Sequence, residues 1–273
     1  MTGTWREITV HGRPCRISGD PDDIYFHNIL HAVPTLDRLG AVARAVLPED
    51  GVVADIGANI GLSALVMAPC VPRGRIHAFE PVPAAFAFLQ ANAAADPLGN
   101  IEPIPRALGA APGSVAIHVG PRFTAGSHVV DPTHAMAAQM QTITLPLGTL
   151  DGFVAERGLA RLDLVKIDVE GFEAEVLDGA TRSLDRFRPV VMLEVNSFCL
   201  VAFRDSSPRR FVEALIDRFP RVIWFARDGA PVRLRRGPPL HRFIHDHLAV
   251  NRAVDDLVCC YDDSWLARMR APG

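Results

Sequence analysis

Residues 52–62 read VVADIGANIGL, an apolar run that closes on an acid, Asp55, then breaks through Gly57, Asn59 and Gly61 before apolar sequence resumes. A buried strand that ends in a carboxylate and a tight turn can hold a polar ligand. Strand carboxyl ends and the unpaired N–H groups of the next helix converge at such a junction. Gly57 permits the turn, and Gly57 and Gly61 together keep side chains out of a ligand's way. A dinucleotide loop needs G-x-G-x-x-G so that backbone can approach a pyrophosphate, but here Asn59 and Leu62 stand where the second and third glycines belong. Glu80 follows Asp55 by 25 residues, just after the strand-like RIHAF of residues 75–79. That is the place for an acid that holds ribose hydroxyls. Glycine turn and ribose acid together predict an adenosine-type ligand. Alone, Gly57 and Gly61 would be turn punctuation.

A second constellation lies in LDLVKIDVEGF, residues 162–172. Lys166, Asp168 and Glu170 alternate as an apolar strand ends, and Gly171 turns the chain. Glu194 and Asn196 end the apolar run at 190–195 in the same way. Acids at a carboxyl strand edge are poorly placed for packing and well placed for a ligand. Asp168 or Glu170 could act as a base or anchor a substrate hydroxyl, since a dry cleft raises a carboxylate's proton affinity. A plainer reading has Glu170, Glu173 and Glu175 favouring the positive end of the next helix, with Lys166 pairing a carboxylate. Asp168, Glu170 and Glu194 also offer the hard oxygen ligands that magnesium takes, but no loop supplies the regular spacing of a dedicated site, and no metal is assigned.

The elements that must position these groups follow from periodicity. Residues 8–17 alternate around His11-Gly12 as a small hairpin, and 24–47 carry helical spacing interrupted by Pro34. Strand and helix patterns then alternate: strand at Val52, helix at Ile60, strand at Arg75, helix from Pro83 to Ala95, strand at 101–105. This is the signature of parallel βαβ units. Residues 114–119 and 141–145 alternate like strands around a polar insertion at 120–140 that holds His128 and His134, expected as a substrate-side lid. Thr149 can cap a helix; 162–167 and 190–195 are buried strands, 208–219 an amphipathic helix, 221–225 and 257–261 strands. His77 is expected as a hydrogen-bonded core residue, and Phe198, Phe203 and Phe211 as core packing.

The chain has 273 residues, 49% of them hydrophobic, enough for one large core. A net charge of -3, with basic residues scattered except around Arg233, Arg235 and Arg236, predicts no nucleic-acid or membrane partner. The five cysteines form no C-x-x-C pair and are expected as reduced thiols. Residues 1–10 lack a basic segment followed by an apolar one, so a cytoplasmic location is expected. The sequence divides into an N-terminal extension, 1–48, and one α/β domain, 49–273.

The two constellations together resemble the FkbM family of S-adenosylmethionine-dependent methyltransferases. The likeness runs through ADIGANIGLSALV at 54–66, HAFEPVPAAFAFLQAN at 77–92, RALG at 106–109, LVKIDVEGFEAEVLDGA at 164–180 and PVVMLEVN at 189–196. Order and spacing also fit, and the pair D-x-G-A-N-x-G with K-I-D-V-E-G is far more specific than either motif alone. The resemblance implies a class I methyltransferase fold, Rossmann-like, with a mostly parallel seven-stranded sheet, one antiparallel strand near its edge, and helices on both faces. It implies that Asp55, Gly57, Asn59 and Gly61 line the methionine portion of S-adenosyl-L-methionine. Glu80 would hold the ribose, Ala107 would lie beside the adenine, and Asp168 and Glu170 would face the methyl group and the acceptor. An alcohol acceptor must also lose a proton, for which His128 and His134 are further candidates. The expected reaction is O-methylation of a small hydroxyl-bearing acceptor such as a sugar, glycan or polyketide-like product. A nucleotide-dependent oxidoreductase and a catalytically silent binding module are the alternatives.

Overall fold

The computed structural model describes residues 3–10, 12–120, 122–130 and 141–269. The expected hairpin is β1 (Thr4–Val10) paired antiparallel with β2 (Arg13–Gly19), Ile8 opposite Cys15. Its alternation puts Ile8, Val10 and Ile17 into the core. The helical stretch breaks into α1 (Ile24–His27), α2 (Ile29–Ala32), a 3-10 turn at Val33–Leu36 and α3 (Asp37–Val46). Pro34, which has no N–H to donate, sits in the 3-10 turn, and a further break falls at Asn28.

The next elements are β3 (Val52–Ile56), α4 (Leu62–Met67), β4 (Arg75–Phe79), α5 (Pro83–Ala95), β5 (Ile101–Ile104), β6 (Ala107–Leu108), β7 (Gly113–Gly120), β8 (Phe123–Val129) and β9 (Thr142–Gly148). Then come α6 (Leu150–Arg157), β10 (Leu164–Ile167), α7 (Glu173–Asp178), α8 (Thr181–Phe187), β11 (Val190–Asn196), α9 (Ser197–Arg204), α10 (Pro208–Arg218), β12 (Arg221–Phe225), β13 (Pro231–Leu234), α11 (Pro238–Ala249), β14 (Val254–Cys260) and α12 (Leu266–Met269). Thr149 caps α6 as expected, its hydroxyl accepting from the Gly152 N–H at 2.9 Å.

Among the described residues the main sheet has the order β13-β12-β14-β11-β10-β3-β4-β5. The run from β11 to β5 is parallel throughout, while β14 opposes both its neighbours and β13 opposes β12. The seven-stranded expectation is therefore corrected to a mixed, eight-stranded sheet. The added strand, β13, contains Arg233 and closes a hairpin on β12, where Ala226 donates to the Ala230 carbonyl at 2.9 Å. It starts on proline and lies at the sheet edge, where a missing donor is tolerated.

Both faces of the sheet are covered, which is why its strands are apolar without alternation. Val53, Ile76, Leu164 and Met192 pack with Leu39, Leu65 and Leu89 of α3, α4 and α5. Ala54, Val165 and Val191 turn the other way, onto Phe153, Val176, Leu184 and Leu215 of α6, α7, α8 and α10. A separate sheet of order β6-β9-β7-β8 stands beside the carboxyl end of β5 and packs Val115 and Ile117 on Val82 and Ala85. The insertion at 120–140 thus begins as strand β8, antiparallel to β7 with His118 opposite His128. Residues 131–140, with His134, lie outside the described residues. No helix among the described residues is long and apolar enough to cross a membrane.

Candidate active site

The carboxyl ends of β3, β4 and β10 open into a cleft of about 520 Å³, lined by Gly57, Asn59, Glu80, Ala107, His128 and Asp168 among others. Its first wall is the turn after β3. Asn59, Gly57 and Gly61 all take left-handed backbone, with φ of 48°, 81° and 95°. A Cβ on Gly57 would stand 1.8 Å from the Asp168 carbonyl oxygen, and one on Gly61 would stand 2.8 Å from Leu89 Cδ1. These glycines were expected to clear space for a ligand. Gly57 does line the cleft, but the close approach it permits is to the end of β10, and Gly61 clears room for α5.

Asp55 is fully buried behind this turn, accepting from the Ser63 hydroxyl at 2.7 Å, with its second oxygen 3.8 Å from Lys166 Nζ. Burial raises its pKa, opposed by Lys166 and Ser63. Glu80, 6% exposed, accepts from the Asn59 N–H at 2.9 Å and the Val82 N–H at 2.8 Å, one on each oxygen. Burial pushes its carboxyl up to about 7 against those two hydrogen bonds. The Asn59 side-chain oxygen is buried with no hydrogen-bond partner among the described residues. Ala107, buried at the start of β6, also lines the cleft.

The second constellation converges as expected. Lys166 donates to Asp168 at 3.1 Å and to the Gly57 carbonyl at 3.4 Å, joining the two strand ends. Burial opposes its charge, but Asp168 and Asp55 outweigh burial and raise its pKa. Glu170 sits at φ 53° and Gly171 at φ 96°, so the chain reverses within two residues. The Glu170 carboxylate accepts from Asn196 Nδ2 at 3.2 Å and from the Cys199 thiol at 2.9 Å. Burial first, then the charge of Asp168, push it up to about 7. Glu194 is raised well above the ordinary range, by burial and then by Asp168 and Glu170.

One oxygen each of Asp168, Glu170 and Glu194 lie within 4.8 Å of one another, a spacing a divalent cation could bridge, although the Lys166 ammonium already stands beside them. Glu173 and Glu175 serve neither cleft nor helix dipole alone. Glu173 accepts from the Val169 and Gly171 N–H groups at 3.2 and 3.1 Å, and Glu175 pairs with Arg204.

His128 also reaches the cleft, but as a wall residue. It is 5% exposed and its ring stacks on Phe203, centroids 3.5 Å apart and planes 3° apart. Of the phenylalanines expected in the core only Phe211 is buried there; Phe198 is 66% exposed and meets Phe203 edge-on. His77 is the core residue expected, its Nδ1 3.0 Å from Glu102.

Two groups were missed. Tyr25, Thr35 and Leu36 of the N-terminal extension line the cleft, yet their helical spacing signals only packing. Asn196 and Cys199 hold Glu170, and only the position of Asn196 at a strand end hinted at this. Within the Arg233 to Arg236 strip, Arg233 pairs with Asp263 and Arg236 with Asp217 and Glu213. All five cysteines are free thiols.

Residues 55–213 match the family model described as the Methyltransferase FkbM domain. The chain is 32% identical over 150 residues to Methyltransferase 1 of Beauveria bassiana, covering 50% of this chain and 60% of that one. It is 31% identical over 144 residues to the hexuronic acid methyltransferase AglP of Haloferax volcanii, covering 53% and 56%. It is 30% identical over 152 residues to the 31-O-demethyl-FK506 methyltransferase FkbM of Streptomyces tacrolimicus, covering 47% and 58%. The matches therefore span less than two thirds of the length of these relatives.

Proposed function

The chain belongs to the FkbM methyltransferase family, whose cofactor is S-adenosylmethionine, and from that premise we propose that it methylates a hydroxyl of a small-molecule acceptor. The observation that carries this reading is the cleft at the parallel strand ends, with Glu80 on one side and the Asp168 and Glu170 carboxylates on the other. The residues suit the cofactor. Glu80 keeps lone pairs for ribose hydroxyls beyond its two backbone donors, and the buried Asn59 oxygen offers a further acceptor. Asp55 and Gly61 shape the turn from behind, Gly57 and Asn59 form its face, and Ala107 leaves room for a flat base.

When bound, the cofactor supplies a methyl group on a sulfonium, so alignment and exclusion of water are most of what the protein must add. Asp168, fixed by Lys166, is the anchor for the acceptor hydroxyl. Glu170, titrating near neutrality, is matched to receive its proton. His128 borders the acceptor side of the cleft. Tyr25, Thr35 and Leu36 cover it, which makes residues 1–48 a working part of the site and 49–273 the domain that holds the cofactor. The name of one relative, a 31-O-demethyl-FK506 methyltransferase, supports oxygen as the accepting atom.

The test is transfer of labelled methyl from S-adenosylmethionine into the small-molecule fraction of a cell extract, read by mass spectrometry. Wild type should label a metabolite. Asp168→Asn should lose roughly 100-fold or more of that activity while its affinity for S-adenosylhomocysteine stays within about threefold. Equal loss of both would make Asp168 a cofactor or folding residue. Binding without any transfer would favour the silent module.

A further inference from the structure

We propose that the acceptor is an uncharged, amphipathic molecule whose hydroxyl enters the acidic cleft while a flat apolar body rests on α9, and that anionic acceptors are excluded; this rests on the methyltransferase reading above.

Charge sets the first half of the specificity. Asp168, Glu170, Glu194 and Asp256 line the acceptor side, whereas the cations among the described lining residues are Lys166 and Arg106. Lys166 stands 3.1 Å from Asp168 and 3.8 Å from Asp55, and Arg106 is 2.9 Å from Glu156, so each is already matched by an acid of the chain. A carboxylate or phosphate on the acceptor would have to leave water in a cleft whose described lysine and arginine are both already paired.

Shape sets the second half. His128 lines the cleft, Phe203 stacks on it, and Phe198 meets Phe203 edge-on with centroids 5.4 Å apart. These rings form a ladder leading out of the cleft. Phe198 and Val201, three residues apart on α9, share a helix face and are 66% and 58% exposed. Val254 is 41% exposed and lines the cleft, and the bond from Ser197 N to the Ala253 carbonyl, 2.8 Å, places the start of α9 beside it. Large exposed apolar side chains are ordinarily scattered. Here they continue a binding cleft, and a ring or acyl portion of the acceptor is the occupant that uses both features at once.

The experiment takes the full chain saturated with S-adenosylhomocysteine, after calorimetry has established that this ligand binds. Failure at that first step removes the methyltransferase reading itself. Three probes are then compared by saturation-transfer difference NMR: phenyl β-D-glucopyranoside, phenyl β-D-glucuronide and methyl β-D-glucopyranoside. The phenyl glucoside should bind through its ring protons, with the glucuronide and the methyl glucoside each weaker by about tenfold or more. Phe198→Ser should weaken the phenyl glucoside by a similar factor and leave S-adenosylhomocysteine affinity unchanged. Equal or tighter binding of the glucuronide overturns the charge argument, and an unchanged Phe198→Ser overturns the docking strip. Sedimentation that finds a wild-type dimer and a Phe198→Ser monomer would assign the strip to a second copy and overturn the proposal as well.

Discussion

Glu173 and Glu80 are acids closed off from solvent, at 1% and 6% exposure, and each hydrogen-bonds two backbone N–H groups rather than a cation. Burial dominates, and both carboxyls are pushed up to about 7. In the unfolded chain such acids ionise near their ordinary value, so between about pH 4.5 and 7 the native state holds protons that the unfolded state has released. Stability from these groups is therefore present below that window and lost as pH rises through it, on the order of 1–3 kcal/mol for each. His77, whose pKa burial lowers, acts in the opposite sense on the acid side. Comparing the cofactor-free wild type with Glu173→Gln cancels that contribution. Denaturation from pH 4.5 to 7.5 should show wild type losing ground to the variant as pH rises; parallel curves would mean that Glu173 does not hold its proton. Glu80 and Asp168 were legible in the sequence because a lone acid after an apolar strand has few structural uses. Glu173 was legible only as a helix-terminal charge, since its clamp on Val169 and Gly171 depends on the left-handed turn at Glu170.

At the scale of elements, α9 is the piece on which the acidic strip depends, because Asn196 caps it and, with Cys199, holds Glu170. The helix is pinned in turn by a buried chain. The Ser197 hydroxyl lies 2.7 Å from His247 Nε2, His247 Nδ1 lies 2.6 Å from Asp255, and Asp255 accepts from Trp224 and Asn251. The order is that of a nucleophile triad, but Ser197 is 5% exposed and His247 fully buried, so the chain acts as a brace between α9, α11 and β14. With the Asp255 carboxylate accepting from Nδ1–H, Nε2 is left to accept the serine proton. His247→Leu strands both partners and should cost roughly 2–5 kcal/mol in thermal or chemical denaturation. Amide exchange over 197–204 should rise with it. Unchanged exchange there would separate the brace from the site. The alternating βαβ pattern was readable from Val52 through Asn196 because two-sided burial writes continuous apolar runs. The short edge strand β13 and helix α11 were not, because Pro, Arg and His dominate their local composition and only tertiary pairing fixes them.

Over the whole molecule, two apolar cores on opposite faces hold the parallel strands rigid, and the cleft forms where their carboxyl ends meet the second sheet and the N-terminal extension. The extension is tied down by polar groups. Asn92 accepts from the Ser18 N–H at 2.6 Å and donates to the Ser18 and Ile60 carbonyls, while Asp23 caps α1 and accepts from the Thr124 N–H at 2.7 Å. The hairpin is thereby tied to α5, and the start of α1 to β8. Contacts of such sequence separation leave no periodic trace, which is why the extension was legible as a preamble and not as a wall of the cleft. The central claim, that this cleft holds S-adenosylmethionine through Glu80, is tested most directly by calorimetric titration of S-adenosylhomocysteine into wild type and Glu80→Ala. Wild type should bind one equivalent, and the variant should bind about tenfold or more weakly. Equal affinity for the two proteins, or no binding by wild type, would contradict it.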